Sequence, residues 1–151
     1  MWKLLAKFCA IPWIANAIIN YSKKEPYLHI GGYMNRWWVF NPYELDHTKS
    51  RWGLPFSIRV HHILREDLGR DQHDHPWNAR TIILKGWYIE NRMGYRVTRN
   101  KGDTASLKAT DYHHIEQVSP GGVYTLFFTG PYKHTWGFLV NGTKVPHNEY
   151  T

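Results

Sequence analysis

From about residue 27 onward, the chain consists of short apolar or alternating runs separated by turn residues. These runs are RWWVF, PFSIRVHHILR, RTIILKGWYIENR, GYRVTR, ASLKA, YHHIEQV, VYTLFFTG and TWGFLV. Gly94 and the segments NKGD, SPGG and TGP lie between them, where the backbone must turn sharply. Closely spaced short strands of this kind form antiparallel sheets. The sequence therefore predicts an all-β fold, a small antiparallel sandwich or barrel, with no internal repeat.

The run PFSIRVHHILR places alternate residues on opposite faces of one strand. Its alternation predicts one shared face made of Phe56, Ile58, Val60, His62 and Leu64. His61 and His62 are adjacent, so only one of them can point to the interior. We therefore include His62 among the candidate substrate-binding residues.

Length and composition favour one globular domain with a basic surface. The chain has 151 residues, of which 42% are hydrophobic. Its single cysteine, Cys9, excludes an intrachain disulfide and is compatible with a cytoplasmic location. The net charge is +7, but lysines and arginines are scattered and form no basic arm or recognition helix. We expect no specific nucleic-acid partner, whereas small anions or anionic lipids would suit such a surface.

The first twenty residues, MWKLLAKFCAIPWIANAIIN, have a helical pattern. Apolar residues spaced by three and four predict one amphipathic helix face, made of Met1, Leu4, Leu5, Phe8, Ile11, Pro12, Ala15, Ile18 and Ile19. The run from Phe8 to Ile19 is too short to span a membrane, and Pro12 would kink it. Three interpretations remain: a helix packed on the body or on a twin subunit of a homodimer, a weak membrane-surface contact through residues 1–20, or a signal peptide. The predicted division is an N-terminal amphipathic helix over 1–22 and a single domain over 23–151.

Two groups of histidines could bind a metal. DQHDHPW places His73 and His75 two residues apart, on one side of an extended strand, and YHHIEQV contains His113 and His114. Neutral imidazole is the commonest protein ligand of divalent transition metals. His113 and His114 point to opposite faces of a strand, so both cannot reach one centre. Two histidines from one strand and one from a neighbouring strand would leave coordination positions open.

The histidine spacing resembles the two-part signature of the cupin superfamily, whose members are small jelly-roll barrels with one buried metal. The first part, His-x-His followed by a glutamate and a glycine, matches His73, His75 and Gly86. The second part, which begins with glycine and contains a histidine, matches Gly102 and His113. The block HDHPW is also similar to a group of small bacterial and phage cupins. The resemblance covers about residues 55–140 and implies an antiparallel jelly-roll barrel with a metal on the three histidines.

The chain departs from the signature at several positions. The glutamate position holds Ala79 or Arg80, and the proline and glycine of the second part are replaced by Lys108 and Thr110. A site of three histidines and one glutamate is therefore not implied. The remaining set of His73, His75 and His113 is similar to the three-histidine site of thiol dioxygenases and some diketone-cleaving cupins. The tyrosine-serine-histidine relay of the thiol enzymes is not evident. The resemblance thus implies one divalent transition metal, with iron as the first candidate and zinc, nickel or manganese as the others.

Three neutral ligands leave a divalent ion its full charge, which favours a small anionic substrate. Arg59 or Arg80 could neutralise a carboxylate or phosphate of such a substrate. The other candidates for substrate binding are His62, Trp77, His134 and Trp136.

The acidic residues of this region are predicted to be structural and not to bind the metal themselves. Asp71 and Asp74 lie close to the histidines in sequence and either orient a ligand imidazole or build the turn. Glu90 and Glu116 lie in strand runs, where we expect solvated cross-strand pairs.

These features lead to three hypotheses for the function. The first is a mononuclear non-haem metal enzyme of the dioxygenase type that acts on a small anionic substrate. The second is a non-catalytic cupin that binds a sugar, a nucleotide or a host component. The third is a metal-free sugar epimerase or isomerase that uses histidine and tyrosine as acid and base.

Overall fold

The structure is a computed structural model that describes residues 1–44 and 49–151. Two helices, α1 (Trp2–Cys9) and α2 (Pro12–Ser22), come first. The strands that follow in the described ranges are β1 (Met34–Phe40), β2 (Ser57–Ile63), β3 (Ala79–Lys85), β4 (Trp87–Arg92), β5 (Tyr95–Asn100), β6 (Thr104–Leu107), β7 (His113–Val118), β8 (Val123–Thr129), β9 (Gly137–Val140) and β10 (Thr143–Pro146). Every predicted run contains a strand. β10 lies outside the predicted runs because it is short and ends in a proline.

The strands pair in antiparallel fashion in three sheets. One sheet has the order β1-β2-β8-β3-β6, a second has β5-β4-β7, and β9 pairs with β10. The backbone of His73 links the two smaller sheets, because it forms isolated bridges with His113 of β7 and Phe138 of β9. The prediction of a mostly β, antiparallel fold is confirmed, with two helices in place of the single predicted one.

Gly86 is the point at which the run RTIILKGWYIENR divides into β3 and β4. Its φ of +77° lies in the left-handed region that residues with a side chain rarely adopt. A Cβ atom at this position would overlap with Oγ of Ser119 and lie 2.8 Å from the carbonyl oxygen of Gly122. The chain therefore passes from the five-stranded to the three-stranded sheet at a position that only glycine suits.

We expect Gly86→Ala to destabilise the fold, because the new methyl group would meet backbone atoms as well as a strained φ. The matched control is Gly94→Ala in the β4–β5 turn, where φ is +90° but no atom lies within 4 Å of the added Cβ. Left-handed strain alone costs about 1–2 kcal/mol, so the control should lose about that much in chemical denaturation. Gly86→Ala should lose clearly more. Equal losses would show that the contacts around Gly86 relax without cost.

The two faces of β2 are buried against different parts of the molecule. Val60 packs in a core with Ile19 of α2, on the helix side of the large sheet. Arg59 and His61 point the other way and line a cavity. The predicted shared face with Ile58, Val60 and His62 therefore lies on the helix side, and His62 does not line the cavity. Alternation separates two faces, but it does not show which one meets a cavity when both are covered.

The N-terminal segment forms two helices because Pro12 cannot continue α1 and instead begins α2. The chain bends by 83° between them. The buried apolar residues of this segment are mostly small, and four of them, Ala6, Cys9, Ala15 and Ile19, share a core with strand residues such as Val60. The large residues of the predicted apolar stripe do not pack within the described chain, since Leu4 and Phe8 are 74% and 55% exposed.

In the described residues, no single helix has the length and apolar character needed to cross a membrane. The bent pair α1 and α2 meets that criterion only when both helices are counted together, by length and composition alone.

Candidate metal centre and cavity

Three histidines meet where the segment before β3 runs beside the start of β7. The backbones of His73 and His113 exchange two hydrogen bonds of 2.9 and 3.0 Å, which hold this segment against the strand. The ligand nitrogens of His73, His75 and His113 all lie within 4.8 Å of one another. Nε2 of His75 is 2.9 Å from Nε2 of His113. His114 does not belong to this group, in agreement with the alternation expected for β7.

These positions fit a bound transition metal. Metal–nitrogen bonds of about 2.1 Å at right angles place two ligand nitrogens about 3.0 Å apart. The observed separation between His75 and His113 is 2.9 Å. At this distance the lone pairs of two imidazole nitrogens repel each other, unless one nitrogen carries a proton or a cation lies between them. The three histidines could therefore hold a metal ion.

Burial favours the neutral form of His73 and His75. The side chain of His73 is only 16% exposed. Loss of hydration, together with the neighbouring His113, lowers the pKa of His73 to about 4. The same causes lower the pKa of His75 well below its usual range. An unprotonated imidazole keeps a free lone pair at neutral pH, which is the state that binds a metal.

A buried carboxylate, Glu90, supports His113 from the side away from His75. Oε1 of Glu90 lies 2.8 Å from Nδ1 of His113 and accepts hydrogen bonds from Arg92. Arg99 donates to Oε2 at 3.1 Å. Burial alone would raise the pKa of Glu90, but the hydrogen bond with His113 and the charge of Arg92 lower it to about 2. Glu90 is thus an anion that holds a proton on Nδ1 of His113 and leaves Nε2 free for a metal.

The prediction of a solvated cross-strand pair is wrong for Glu90, which is 0% exposed. It is confirmed for Glu116, which pairs with Arg96 at the surface. In β4 the buried side chains are those of Tyr88, Glu90 and Arg92, which alternate with partly exposed ones. The signal that could have revealed this is the Glu-x-Arg spacing, which places an acid and a base side by side on one face of a strand.

Asp67 is a second carboxylate beside the histidines, and the sequence analysis gave it no role. Its Oδ2 lies 3.7 Å from Nδ1 of His73 and accepts the backbone N–H of Ile115 at 2.8 Å. The hydroxyl of Tyr33 donates to Oδ1. At 3.7 Å the contact with His73 is electrostatic and too long for a hydrogen bond. Asp67 lies in a loop and at a glycine position of the cupin signature, so neither strand pattern nor motif pointed to it.

Asp71 and Asp74 build the loop around the histidines and do not contact their rings. Asp74 is 2% exposed and accepts hydrogen bonds from the backbone N–H of Gly137 at 2.7 Å and from Lys144 at 2.6 Å. Asp71 accepts a hydrogen bond of 2.9 Å from the hydroxyl of Tyr150. Of the two alternatives left open by the sequence, the contacts support the turn-building role.

A cavity of about 700 Å³ opens beside the histidine cluster. His73 and His75 line it together with many aromatic side chains, among them Tyr27, Tyr43, Trp77, Phe127, Trp136 and Phe138. A second cavity of about 70 Å³ shares His73 and His75 and is also lined by His113 and Glu90. The cluster therefore lies at the boundary between a large aromatic cavity and a small cavity that contains Glu90.

Arg59 places a buried cation in the large cavity. It is 2% exposed, and its guanidinium carbon lies 5.0 and 4.8 Å from the ring centres of Trp38 and Trp77. Nη2 donates to Oγ1 of Thr129 at 3.3 Å, while Nε has no hydrogen-bond partner in the described part of the chain. Loss of hydration lowers the pKa of Arg59, whereas the neighbouring Tyr43 and Tyr27 raise it. A buried guanidinium in this state favours an anion beside it.

His61 is a further polar group of the cavity with unused hydrogen-bonding capacity. It is 8% exposed, and its Nε2 has no partner among the residues that the structure describes. Loss of hydration and the charge of Arg59 lower its pKa well below the usual range. His62 was the predicted substrate contact of this pair, but it stacks on Tyr124 with ring centres 3.9 Å apart, on the opposite face of β2. The candidate substrate contact is corrected to His61.

The remaining candidates divide between the cavity wall and the exterior. Trp77 and Trp136 line the cavity. Arg80 points to the opposite face of β3, where its guanidinium lies 4.7 Å from the ring centre of Trp2. His134 forms hydrogen bonds to backbone carbonyls outside the cavity lining. The prediction that Arg80 and His134 contact the substrate is therefore wrong. Strand alternation turns Arg80 away from the histidine cluster, and the path of its loop does the same for His134.

The fold is shared with solved structures, whereas no protein-family model and no curated protein matches the chain. KdgF from a Halomonas species is 14% identical and aligns over 70% of this chain and 87% of its own, with a TM-score of 0.52. An RmlC-like cupin from Shewanella frigidimarina is also 14% identical, over 72% and 86%, with a TM-score of 0.51. A variant of the Streptomyces protein PAC13, solved with uridine, is 10% identical over 80% and 89%, with a TM-score of 0.54.

These similarities define the class of fold. The chain has the fold of the cupin superfamily, and the resemblance predicted from the histidine spacing is confirmed at that level. Within this fold it carries three histidines that could hold a metal ion.

Proposed function

We propose that this protein is a mononuclear non-haem metal enzyme of the dioxygenase type that acts on a small anionic substrate. The observation that carries the proposal is the histidine cluster at the border of a cavity of about 700 Å³ that also contains the buried Arg59. A metal held there would face a space of the size that small molecules occupy in proteins. Iron is the first candidate, and zinc, nickel and manganese are the others.

The charges around the cavity favour an anion. His73, His75 and His113 are neutral ligands, so a divalent ion would keep its full charge. Arg59 adds a second positive charge on the cavity wall. A carboxylate or phosphate would compensate both, and the unpaired Nε of Arg59 would donate a hydrogen bond to it.

The chain itself would bind the substrate, exclude water and accept a proton. Arg59 binds the anionic group, and the aromatic walls keep water away from it. Nε2 of His61 has no hydrogen-bond partner among the described residues, and loss of hydration favours the neutral ring. In the tautomer that carries its proton on Nδ1, Nε2 would accept a proton from a hydroxyl or thiol group of the substrate. The metal, when bound, would supply Lewis acidity and redox chemistry.

A non-catalytic binding function is the second candidate, and the aromatic lining of the cavity favours it. Rings such as Trp77 and Trp136 can stack on a planar base or a sugar. The structural neighbour PAC13 was solved with uridine. A binding protein for a nucleotide or a sugar would use the same cavity without turnover.

Metal analysis and oxygen consumption separate these functions. We expect the purified protein to carry about one equivalent of iron, manganese, nickel or zinc, although zinc and nickel displace iron readily because of the affinity order. Protein reconstituted with ferrous iron should consume oxygen when the correct anion is present. A protein that is free of metal and also fails to bind added metal would overturn the proposal and favour a metal-free isomerase. Metal binding without oxygen consumption across a broad metabolite panel would favour the binding function.

Replacing Arg59 by methionine is expected to abolish the binding of small anions. An anion at a hundredfold of its Kd stabilises a protein by about 2.7 kcal/mol, which a thermal-shift assay detects. The variant should lose this shift. Its ligand-free form should be at least as stable as the wild type, because an incompletely paired buried charge is removed.

Arg80→Met is the matched control, since Arg80 lies outside the cavity. A shift that survives in Arg59→Met, or that disappears in Arg80→Met, would assign the anion to the basic surface. If neutral sugars raise the melting temperature while their phosphates and carboxylates do not, the substrate is not anionic.

A further inference from the structure

The first helix carries an apolar face that no part of the described chain covers. Met1, Leu4, Leu5 and Phe8 follow one another at spacings of three and four and form one face of α1. Their exposed fractions are 94%, 74%, 38% and 55%. Monomeric proteins rarely keep a contiguous patch of large apolar side chains in water unless it serves a contact. We call this set the apolar face of α1.

This face is separate from the one that holds the helix on the protein. α1 packs on the sheet through Ala6 and Cys9, which are 0% and 6% exposed. Both belong to the same core as Val60 of β2. The apolar face of α1 is therefore not needed for packing within the chain, and large side chains there require another explanation.

The charges beside the apolar face of α1 are positive. Lys3 and Lys7 are exposed and lie four residues apart on the third side of the helix. The first acidic residue of the chain is Glu25, so neither α1 nor α2 contains a carboxylate side chain. The adjacent β5–β6 turn contributes one charge of each sign, Lys101 and Asp103.

We propose that the apolar face of α1 binds the surface of an anionic lipid membrane. A helix with leucine and phenylalanine on one face and lysines on its flank lies in the headgroup region, with its apolar side chains at the acyl boundary. The lysines would contact headgroups of opposite charge. Trp13, at the start of α2, is 72% exposed and belongs to a residue type enriched at membrane interfaces. α1 has 8 residues, so the contact is with the surface.

A second copy of the chain is the main alternative occupant, and the charges argue against it. A two-fold dimer through this face would bring the same surface of both copies together. Lys3 and Lys7 of each copy would then approach those of the other, and neither helix has an acidic residue to compensate. Anionic headgroups provide the missing negative charge.

Vesicle flotation of the full chain tests the proposal. We expect the protein to float with vesicles of phosphatidylcholine and phosphatidylserine, to float much less with phosphatidylcholine alone, and to be released by added salt. The variant Leu4→Ser/Phe8→Ser should lose about tenfold or more in affinity, because two large apolar side chains no longer leave water. The matched control is Leu28→Ser, which removes an apolar side chain that is 66% exposed elsewhere on the surface.

The lysines are tested in the same way. Lys3→Gln/Lys7→Gln should remove most of the preference for phosphatidylserine, whereas Lys108→Gln/Lys133→Gln, at exposed positions on other loops, should keep it. All variants should retain the metal content and melting temperature of the wild type, so this test is independent of the function of the histidine cluster. Failure to float with either vesicle, or equal flotation of wild type and Leu4→Ser/Phe8→Ser, would overturn the proposal. A dimer in sedimentation that Leu4→Ser/Phe8→Ser abolishes would assign the face to a second copy.

Discussion

Replacement of His75 by alanine is expected to abolish metal binding, whereas replacement of His114 should leave it largely intact. His75 supplies one of three clustered nitrogens, 2.9 Å from that of His113. Two remaining histidines provide fewer protein ligands than either structural or catalytic metal sites normally use. His114 is adjacent to His113 but points to the other face of β7. Metal content, measured by mass spectrometry on purified protein loaded with zinc or nickel, should fall to none for His75→Ala only.

The folding of these variants needs a separate measurement, because the ring of His75 also stacks on Trp77 at 5.4 Å. Thermal unfolding without metal provides it. His75→Gln keeps most of the side-chain volume and should still lose the metal. If His114→Ala loses the metal while His113→Ala retains it, the register of β7 beside His73 is wrong.

The second large effect is expected at Glu90, whose replacement by alanine should destabilise the fold by about 3–5 kcal/mol. Its carboxylate is 0% exposed and pairs with Arg92 and Arg99 at 2.9 and 3.1 Å. Alanine would leave both cations and the Nδ1 proton of His113 without their acceptor in the interior. For a chain of this size the loss corresponds to a fall of roughly 6–20 °C in melting temperature.

The matched control is Glu116→Ala. Glu116 also pairs with an arginine, but Arg96 is 62% exposed, and surface pairs contribute at most about 1 kcal/mol. Glu90→Gln tests the role of the charge at nearly constant volume: it should lower metal affinity by about 10–100-fold, because His113 loses the anion that orients its ring. Equal melting temperatures for Glu90→Ala and Glu116→Ala would show that Arg92 and Arg99 reach water in the folded protein.

The strands and the histidine group could be predicted because both depend on local spacing. A period of two and the turn residues between runs identify strands without knowledge of their neighbours. Two histidines at positions i and i+2 share a face in any extended segment, so only the third member required the resemblance to the cupin signature. The structure brings these three residues within 4.8 Å of one another.

Local spacing could not predict which face of each strand points to the cavity. On β2 the choice between His61 and His62 depended on which side meets the cavity, and on β4 the charged side that contains Glu90 faces inward. Alternation is symmetric with respect to the two sides of a sheet. It therefore cannot predict which side lines the cavity where helices cover one side of the sheet and a polar network fills the other.

The N-terminal segment was predicted as one amphipathic helix, whose apolar face would contact the body, a twin subunit or a membrane surface. Pro12 divides it instead, and α1 packs through Ala6 and Cys9, because small side chains let a helix approach a sheet closely. Leu4 and Phe8 consequently remain exposed. Periodicity reports that a helix has an apolar face, but which face the protein covers depends on the shape of the surface beneath it.

The sequence by itself determined the strand runs, their turns and the pairing of His73 with His75, since these follow from steric preferences of residues close together in the chain. Only the tertiary structure decided that Glu90 orients His113, that Asp67 stands near His73, and that the cavity receives Arg59 and His61 while Arg80 and His62 point elsewhere. Such contacts join strands that are far apart in sequence. Burial then changes the pKa of a charged group and leaves an unpaired nitrogen available to a ligand, because it removes the water that would otherwise hydrogen-bond to them.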